Sequence, residues 1–300
     1  MKRGPVDKVF IWLVGGLTLF GVIMLMSASG PYGYQKFGDS LYLFKHQLLY
    51  GVLPGAIIFF LVALIDYRKF KALGGFFLIA SVAMLVLVYL PGVGMSVGGS
   101  SRWVRIFGMA FQPSEFVKVS FLIYAAAWLA AKGSQEIKKF ETGLLPFLFP
   151  LGVVLFLLIA QPNTGTTMVI AGTAFLMFFF AGAPYIWFVG LGAAAVALVA
   201  ALVKLTPYRA ARFMTFLHPE LDPQGIGYHI NQAYLAIGSG GLFGLGYGHS
   251  RQKYLYLPEV SGDSIFAVMA EELGFIAVIF FLIVLSALVL RCFRIAKNAP

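Results

Sequence analysis

Long apolar runs constrain the fold of this chain more than any other feature. The 300 residues are 60% hydrophobic and 11% charged, whereas soluble domains carry about 25% charged residues. A helix needs about 20 apolar residues to cross a bilayer, and the chain holds several runs of about that length. We therefore predict an all-α fold, a polytopic transmembrane helical bundle.

Eight segments are predicted to be membrane-spanning helices. The first is too long for the core of a signal peptide, and no clear cleavage site follows it, so we expect it to be retained. Only a short polar motif separates the fifth predicted span from the sixth. The predicted spans are residues 9–29, 48–65, 72–91, 114–131, 144–160, 166–182, 184–204 and 264–290.

The net charge of +10 raises the question of a nucleic-acid partner, but the distribution of the charge argues against one. Basic residues form short clusters between the apolar runs, which is typical of membrane topology. If eight spans alternate, four of these clusters fall on one side. The positive-inside rule makes that side cytoplasmic, together with both termini, and the long segment 206–262 then lies outside.

The extracytoplasmic segment 206–262 is too long to be an idle connection in a compact membrane protein. It mixes short amphipathic pieces with Pro and Gly turns. Its apolar part, residues 233–245, is too short to span the bilayer, so we predict interfacial or re-entrant helices there. The sequence shows no internal repeat, and we expect residues 1–300 to form a single membrane domain.

Asp263 stands at the mouth of the last predicted span. Asp is a favoured N-cap residue, and taken alone the residue supports a capping role and a functional role about equally. Arg251 and Lys253 lie a few residues upstream in a loop that faces the same side. Their charge favours a functional acid beside a bound anion.

Glu271 and Glu272 lie deeper in the same predicted span. Ionisable groups inside an apolar span are costly and usually face the interior of a bundle or a polar cavity. At 100° per residue these two acids and Asp263 cannot share one helical face. We expect one or both to pair with a cation or with the backbone of another helix, a structural role that we favour over catalysis.

Two polar motifs flank other predicted spans. In QPSEFVK, Glu115 and Lys118 are three residues apart and can pair on one helical face; Lys118 is either half of that ion pair or also a ligand for phosphate. In QPNTGTT, Pro and Gly break the chain, and Asn163 can satisfy the freed backbone groups. This second motif is either a tight turn or the lining of a polar cavity.

Arginines on the predicted outer side break the positive-inside trend. Arg209 and Arg212 are three residues apart, and Arg102 raises the same question after the third span. They are either anchors for lipid headgroups or ligands for a pyrophosphate, to which guanidinium forks are suited. The sequence shows no Cys/His metal cluster, no P-loop and no nucleophile elbow, so it identifies no metal ligands.

Five motifs follow one another along nearly the whole chain. They are SRWVRIFGMAFQPSEFVK, QPNTGTT, FLHPELDPQGIGYHINQAYLAIGSGG, SGGLFGLGYGHSRQKYLYLPE and, after a lone Asp, IFAVMAEELGF. In this order they resemble the SEDS family of peptidoglycan polymerases (FtsW, RodA and SpoVE). The form SRQKYLYLPE is closer to the FtsW branch, which acts in division, than to RodA.

The resemblance implies a peptidoglycan glycosyltransferase of the bacterial inner membrane that joins lipid II units outside the membrane. It implies as partners a class B penicillin-binding protein and other membrane proteins of the divisome or elongasome. The family's essential acid maps onto Asp263. Lipid II carries an α-linked pyrophosphate and the polymer is β-linked, so one inverting displacement with one base suffices.

In that mechanism Asp263 takes the proton of the acceptor hydroxyl. The departing pyrophosphate would be neutralised by cations, and a divalent ion such as Mg²⁺ stays open as a cofactor. Two rival functions also stay open: a lipid II flippase and an inactive scaffold of the divisome. The predicted substrate-binding cations are Arg102, Lys118, Arg209, Arg212, Arg251 and Lys253.

Three departures from the family pattern stand out. The family usually has Thr-Asp-Phe where this chain has Gly262–Ser264, and Asp where it has Asn163. Family members typically have ten spans, so we expect a shortened or truncated chain without the last spans of the family.

Overall fold

A computed structural model describes residues 6–90, 93–97, 100–106, 109–205, 214–215, 218, 224–225 and 227–299. Over these ranges the chain is mostly helical, as the sequence predicts. The helices are α1 (Lys8–Phe37), α2 (Tyr42–Ala63), α3 (Arg68–Ala72), α4 (Gly74–Leu87), α5 (Pro113–Ile137), α6 (Phe140–Ala160), α7 (Thr164–Phe180), α8 (Tyr185–Leu205), α9 (Tyr228–Ser239) and α10 (Ile265–Lys297). Within α2 and α6, π-helical turns occupy Leu48–Val52 and Phe140–Leu144.

Five of the described helices are long and apolar enough to cross a membrane: α1, α2, α5, α6 and α10. Their most apolar windows are at most 33% buried within the protein, so most of their apolar side chains face outward, as expected for contact with lipid. The chain is a multi-pass membrane protein. Each of the eight predicted spans coincides with a helix, but α4 and α7 have only 14 and 17 residues, and the count of eight spans stays a prediction.

A small antiparallel sheet was not predicted from the sequence. It has the strand order β1–β2–β3, with β1 at Gly94–Val97, β2 at Ser100–Ile106 and β3 at Met109–Phe111. In its register Val104 pairs with both Gly94 and Phe111. An alternating apolar pattern is the usual sign of a strand. These strands occupy a Gly- and Ser-rich stretch without such a pattern, so their signal in the sequence was weak.

The chain divides into two compact units, Met1–Val62 with Leu202–Pro300, and Ala63–Ala201. The second unit has an apolar core built from α4 to α7, in which the rings of Phe147 and Phe178 stack with centroids 4.7 Å apart. The first unit packs α1, α9 and α10 around small side chains such as Ala28, Ala236 and Ala267. The prediction of one domain over residues 1–300 is not tested.

An ion pair joins the start of helix α1 to the last turns of helix α10 in the first unit. Asp7 caps α1 by accepting from the Phe10 amide at 3.0 Å, as an N-cap residue does. The Nε of Arg291, near the end of α10, donates to both carboxylate oxygens of Asp7 at 3.0 and 2.8 Å. The hydrogen bond from Arg291 lowers the pKa of Asp7 below its usual value.

Candidate functional site

Helix α10 is broken at Gly274, whose φ and ψ of 77° and 178° are not helical. In an unbroken helix the amides of residues 275 and 276 would donate to the carbonyls of Glu271 and Glu272. Here residues 241–246 enter the gap. Phe275 and Ile276 donate to the carbonyls of Gly241 and Leu242 at 2.9 and 3.2 Å.

The inserted loop also satisfies the other side of the break. Leu245 and Gly246 donate their amides to the carbonyls of Glu271 and Glu272 at 2.9 and 3.0 Å. Backbone groups freed inside an apolar span must find partners within the protein. The four hydrogen bonds meet that need, and they fix the glycine-rich loop to the middle of α10.

Because the loop and helix α10 pass so close to each other, each needs a glycine at the point of contact. A Cβ at Gly244, which has φ of 79°, would lie 2.2 Å from the carbonyl oxygen of Glu272. A Cβ at Gly274 would lie 2.2 Å from the amide nitrogen of Gly244. Only residues without a side chain allow the two backbones to approach so closely.

The side chain of Glu272 lies in a buried ion pair. It is 0% exposed, and the Nζ of Lys253 donates to its Oε1 at 2.8 Å. The hydroxyl of Ser27, on α1, lies 2.7 and 2.8 Å from its two carboxylate oxygens. Lys253 also donates to the Gly248 carbonyl at 2.7 Å and contacts the Ser27 hydroxyl at 3.0 Å. An ammonium group has three donors, and all three of these are used inside the protein.

The side chain of Glu271 has a different set of partners. It is 1% exposed, and its carboxylate accepts from the hydroxyl of Ser250 at 2.5 Å and from the amide of Arg251 at 2.9 Å. A longer contact of 3.4 Å joins it to the amide of Gln252. Glu271 therefore binds one short loop segment through three donors, and none of them belongs to a cationic group.

Asp263 is exposed in the turn that precedes α10. The N-cap of α10 is Ser264, so Asp263 does not cap this helix. Its carboxylate makes no hydrogen bond or ion pair with the residues that the structure describes. An exposed carboxylate without internal partners is available to a ligand, which suits an acid with a functional role.

Ser264 holds this turn in place. Its hydroxyl donates to the carbonyl of Pro258 at 2.7 Å and lies 2.6 Å from the Nε2 of His229 on α9. Because the one hydroxyl proton of Ser264 is used by Pro258, the ring of His229 is the donor in the second contact. The backbone that carries Asp263 is thus tied to α9 and to the loop before it.

A cavity of about 510 Å³ lies in the same unit as Asp263. Ser261 and Ile265, two positions before and after Asp263, contribute to its wall, whereas Asp263 itself does not. Most of the remaining wall is apolar and comes from α1 and α2, while His46 and Gln47 add polar groups. Cavities of this size and mixed lining are typical of small-molecule sites, and this one suits a ligand with both polar and apolar parts.

The second unit contains a separate polar cluster around the QPNTGTT turn. The Nη2 of Arg102 donates to the carbonyl of Pro162 at 2.7 Å. The side-chain nitrogen of Asn163 donates to the hydroxyl of Ser114 at 3.0 Å. The side-chain oxygen of Asn163 accepts from the backbone amide of Thr166 and so caps α7. These contacts hold strand β2, the turn and the start of α5 together.

Glu115 and Lys118 form an ion pair of 2.8 Å on α5, with side chains 55% and 34% exposed. Lys118 thus keeps an exposed part that a phosphate could reach. This pair, Arg102 and Asn163 belong to the unit Ala63–Ala201, whereas Asp263, Arg251 and Lys253 belong to the other unit. Arg209 and Arg212 lie outside the described residues.

The substrate roles predicted for these cations are not tested, but the placements differ. Arg251 is exposed, whereas Lys253 is 3% exposed and fully engaged, so the geometry favours a structural role for Lys253. Sequence reasoning missed Ser27 and Ser250, the hydroxyl partners of the buried acids, and it assigned no role to His229, which contacts Ser264. Ser27 stands with Ser29 in the apolar segment MLMSASG, and hydroxyl groups inside this apolar run were the available signal.

No group of three or more His, Cys, Asp or Glu side chains able to hold a metal ion occurs in the described ranges. A divalent cation such as Mg²⁺ as a cofactor stays a prediction.

Comparison with known proteins adds to this geometry. The model of the FtsW/RodA/SpoVE family, described as cell cycle protein, matches residues 8–300. A probable peptidoglycan glycosyltransferase FtsW of Trichlorobacter lovleyi is 40% identical over 98% of this chain and 76% of its own length. Stage V sporulation protein E of Bacillus subtilis is 38% identical over 100% of this chain and 81% of its own length.

Solved structures show the same architecture. A chain from a study of structural coordination of polymerization and crosslinking by a peptidoglycan synthase complex superposes with a TM-score of 0.76 at 25% identity, covering 98% of this chain and 79% of its own. The rod shape determining protein RodA of Thermus thermophilus superposes with a TM-score of 0.65 at 24% identity, covering 98% and 76% of the two chains. The similarity to RodA, at 24% identity, shows that the fold is shared.

Proposed function

This chain belongs to the FtsW/RodA/SpoVE family of cell cycle proteins, and on that premise we propose that it is a peptidoglycan glycosyltransferase. The substrate is lipid II, and the reaction extends a glycan strand during division or cell-shape maintenance. The observation that carries the proposal is the exposed Asp263, whose near neighbours Ser261 and Ile265 line a cavity of about 510 Å³ with both polar and apolar walls.

Asp263 acts as the general base. It takes the proton of the acceptor hydroxyl as that oxygen attacks the anomeric carbon of the donor sugar, and the bond from this carbon to the pyrophosphate breaks. A single displacement inverts the anomeric configuration and needs only one carboxylate. Among the residues that the structure describes, Asp263 has no hydrogen-bond or ion-pair partner, which supports this role because a base has to be free to reach its substrate.

The departing undecaprenyl pyrophosphate is stabilised by cations. Arg251 is the best supported, because it is exposed and lies on the loop that leads to Asp263. Lys118 and Arg102, which belong to the unit Ala63–Ala201, stay predictions from the sequence as substrate ligands. Fixed positive groups that face a developing charge lower the barrier more than they strengthen substrate binding. Part of the apolar wall of the cavity suits the start of the polyprenyl chain.

We propose a class B penicillin-binding protein as partner. The similar chain from a peptidoglycan synthase complex works where polymerization and crosslinking are coordinated, and an FtsW-like chain would need the same coupling. The extracytoplasmic position of residues 206–262 and the cytoplasmic position of both termini remain part of this proposal.

The test is chain growth from lipid II by the purified full chain, with and without its penicillin-binding partner. We expect Asp263→Asn to lower the rate by about 10²–10⁴-fold, the usual effect of losing a general base. The matched control is Glu259→Gln, an exposed acid on the same loop, which should keep the rate. A flippase or scaffold would give no polymer even as the wild type, and polymer growth by the Asn variant at the wild-type rate would remove Asp263 as the base.

A further inference from the structure

The adjacent acids Glu271 and Glu272 are both buried, and both contact the loop segment 250–253, but through different groups. Glu272 carries the ion pair to Lys253 and the hydroxyl contact to α1. Glu271 contacts only donors of the segment 250–252 among the residues described. The ammonium group of Lys253 therefore pairs with Glu272 and not with Glu271, and Glu271 is matched by backbone amides and a hydroxyl.

The segment held by Glu271 opens a run of turns, in which the buried side chain of Lys253 is a second anchor. Residues 251–264 form successive turns and no helix or strand. The amide of Arg251 has the carboxylate of Glu271 as its acceptor, whereas the side chain of Arg251 is exposed. This hydrogen bond therefore helps to determine where the backbone of Arg251 lies, together with the buried side chains of Ser250 and Lys253 before and after it.

We propose that Glu271 is a positioning residue that fixes the backbone of Arg251 and thereby presents its guanidinium group to the anionic end of a pyrophosphate-linked substrate. The inference rests on the proposed function and adds a task for an acid deep in the last helix. Correct placement matters because an electrostatic contact stabilises the transition state only when it is preorganised. A displacement of about 1 Å can lower turnover on the order of a hundredfold.

A double-mutant cycle on the full chain with its partner tests this assignment, with lipid II polymerisation as the readout. Arg251→Ala should lower kcat by about 10²-fold, and Glu271→Gln should lower kcat by about 10-fold or more with little change in KM. In the Arg251→Ala background, Glu271→Gln should change kcat by less than about 2-fold. Residues that act through one another are not additive in this way.

The matched control is Ser27→Ala, which removes a hydroxyl from Glu272 and Lys253 without touching Glu271. A merely structural loss of this kind should lower kcat by the same factor with or without Arg251. If Glu271→Gln does not fold, Ser250→Ala enters the same cycle, because it removes the 2.5 Å contact to Glu271.

Two results would overturn the inference. One is an equal factor for Glu271→Gln in both backgrounds, which would make Glu271 independent of Arg251. The other is an Arg251→Ala variant that polymerises at the wild-type rate; the proposed function would survive that result as long as Asp263→Asn is inactive. If the wild type forms no polymer, both the proposed function and this inference fail.

Discussion

Replacing Gly244 by Ala tests whether the passage of the glycine-rich loop through the break in α10 holds the first unit together. The new Cβ would lie 2.2 Å from the carbonyl oxygen of Glu272, and the φ of 79° is unfavourable for Ala. The obstacle is backbone on both sides, so no flexible side chain can move away. The loop has to shift, and its hydrogen bonds to α10 have to lengthen or break.

The expected loss of stability is the sum of two costs, one for the backbone conformation and one for the weakened hydrogen bonds. A left-handed conformation costs an Ala residue about 1–2 kcal/mol. The hydrogen bonds from Leu245 and Gly246 to α10 contribute about 0.5–1.5 kcal/mol each. We therefore expect Gly244→Ala to lower the free energy of unfolding by about 2–5 kcal/mol.

Two other glycines of the same segment separate the costs. Gly248 has φ of 84° but nothing within 4 Å of an added Cβ. Gly248→Ala should therefore lower the free energy of unfolding only by the cost of the left-handed conformation, about 1–2 kcal/mol. Gly238 lies in α9 with nothing within 4 Å, and Gly238→Ala should be neutral or stabilise by up to about 1 kcal/mol. The three variants should thus unfold in a fixed order.

The assay is thermal unfolding of the purified full chain in one detergent. About 2–4 °C of Tm corresponds to each kcal/mol in a large domain, so Gly244→Ala should unfold about 2–12 °C below Gly248→Ala. If the two variants unfold at the same temperature, the contact with Glu272 is relieved without cost, and the loop is not fixed by the break in α10.

Two further predictions concern topology and pH. In a chain with Cys292→Ser, a cysteine introduced at Gln224 should react with a membrane-impermeant maleimide added outside intact cells. The native Cys292 should react only after the inner face of the membrane is exposed. The reverse pattern would mean that the topology is inverted. The Arg291 hydrogen bond lowers the pKa of Asp7, so the stabilisation is present above the usual Asp pKa and is lost as pH falls through the lowered value. The Tm difference between the wild type and Asp7→Asn should therefore shrink from about pH 6 to about pH 3; a constant difference would contradict it.

The sequence alone determined the helical architecture, because that depends on local composition. Each apolar run became a helix, and the predicted span 264–290 lies inside α10 (Ile265–Lys297) except for its first residue, the N-cap Ser264. An apolar run in a bilayer has few choices, since its backbone groups must bond to one another. The same local reasoning identified the pair Glu115–Lys118, because residues three apart in a helix are neighbours.

The candidate site depended partly on the sequence. Asp263 stood out as an acid at the mouth of an apolar span, and the structure leaves it exposed, two positions from residues that line a cavity. Arg251 and Lys253 looked equivalent, as two cations in one loop. Their burial separates them, and burial depends on what packs over the loop rather than on the loop's own residues.

Only the tertiary structure decided how the polar groups inside the first unit are paired. Ser27 and Glu272 are 245 positions apart, and no local pattern links them. The break at Gly274 likewise needs a second segment to accept its freed backbone groups, and Gly241–Gly246 does so. A chain shows where polar groups must be satisfied, but which partner satisfies them depends on the surfaces that meet when distant segments pack.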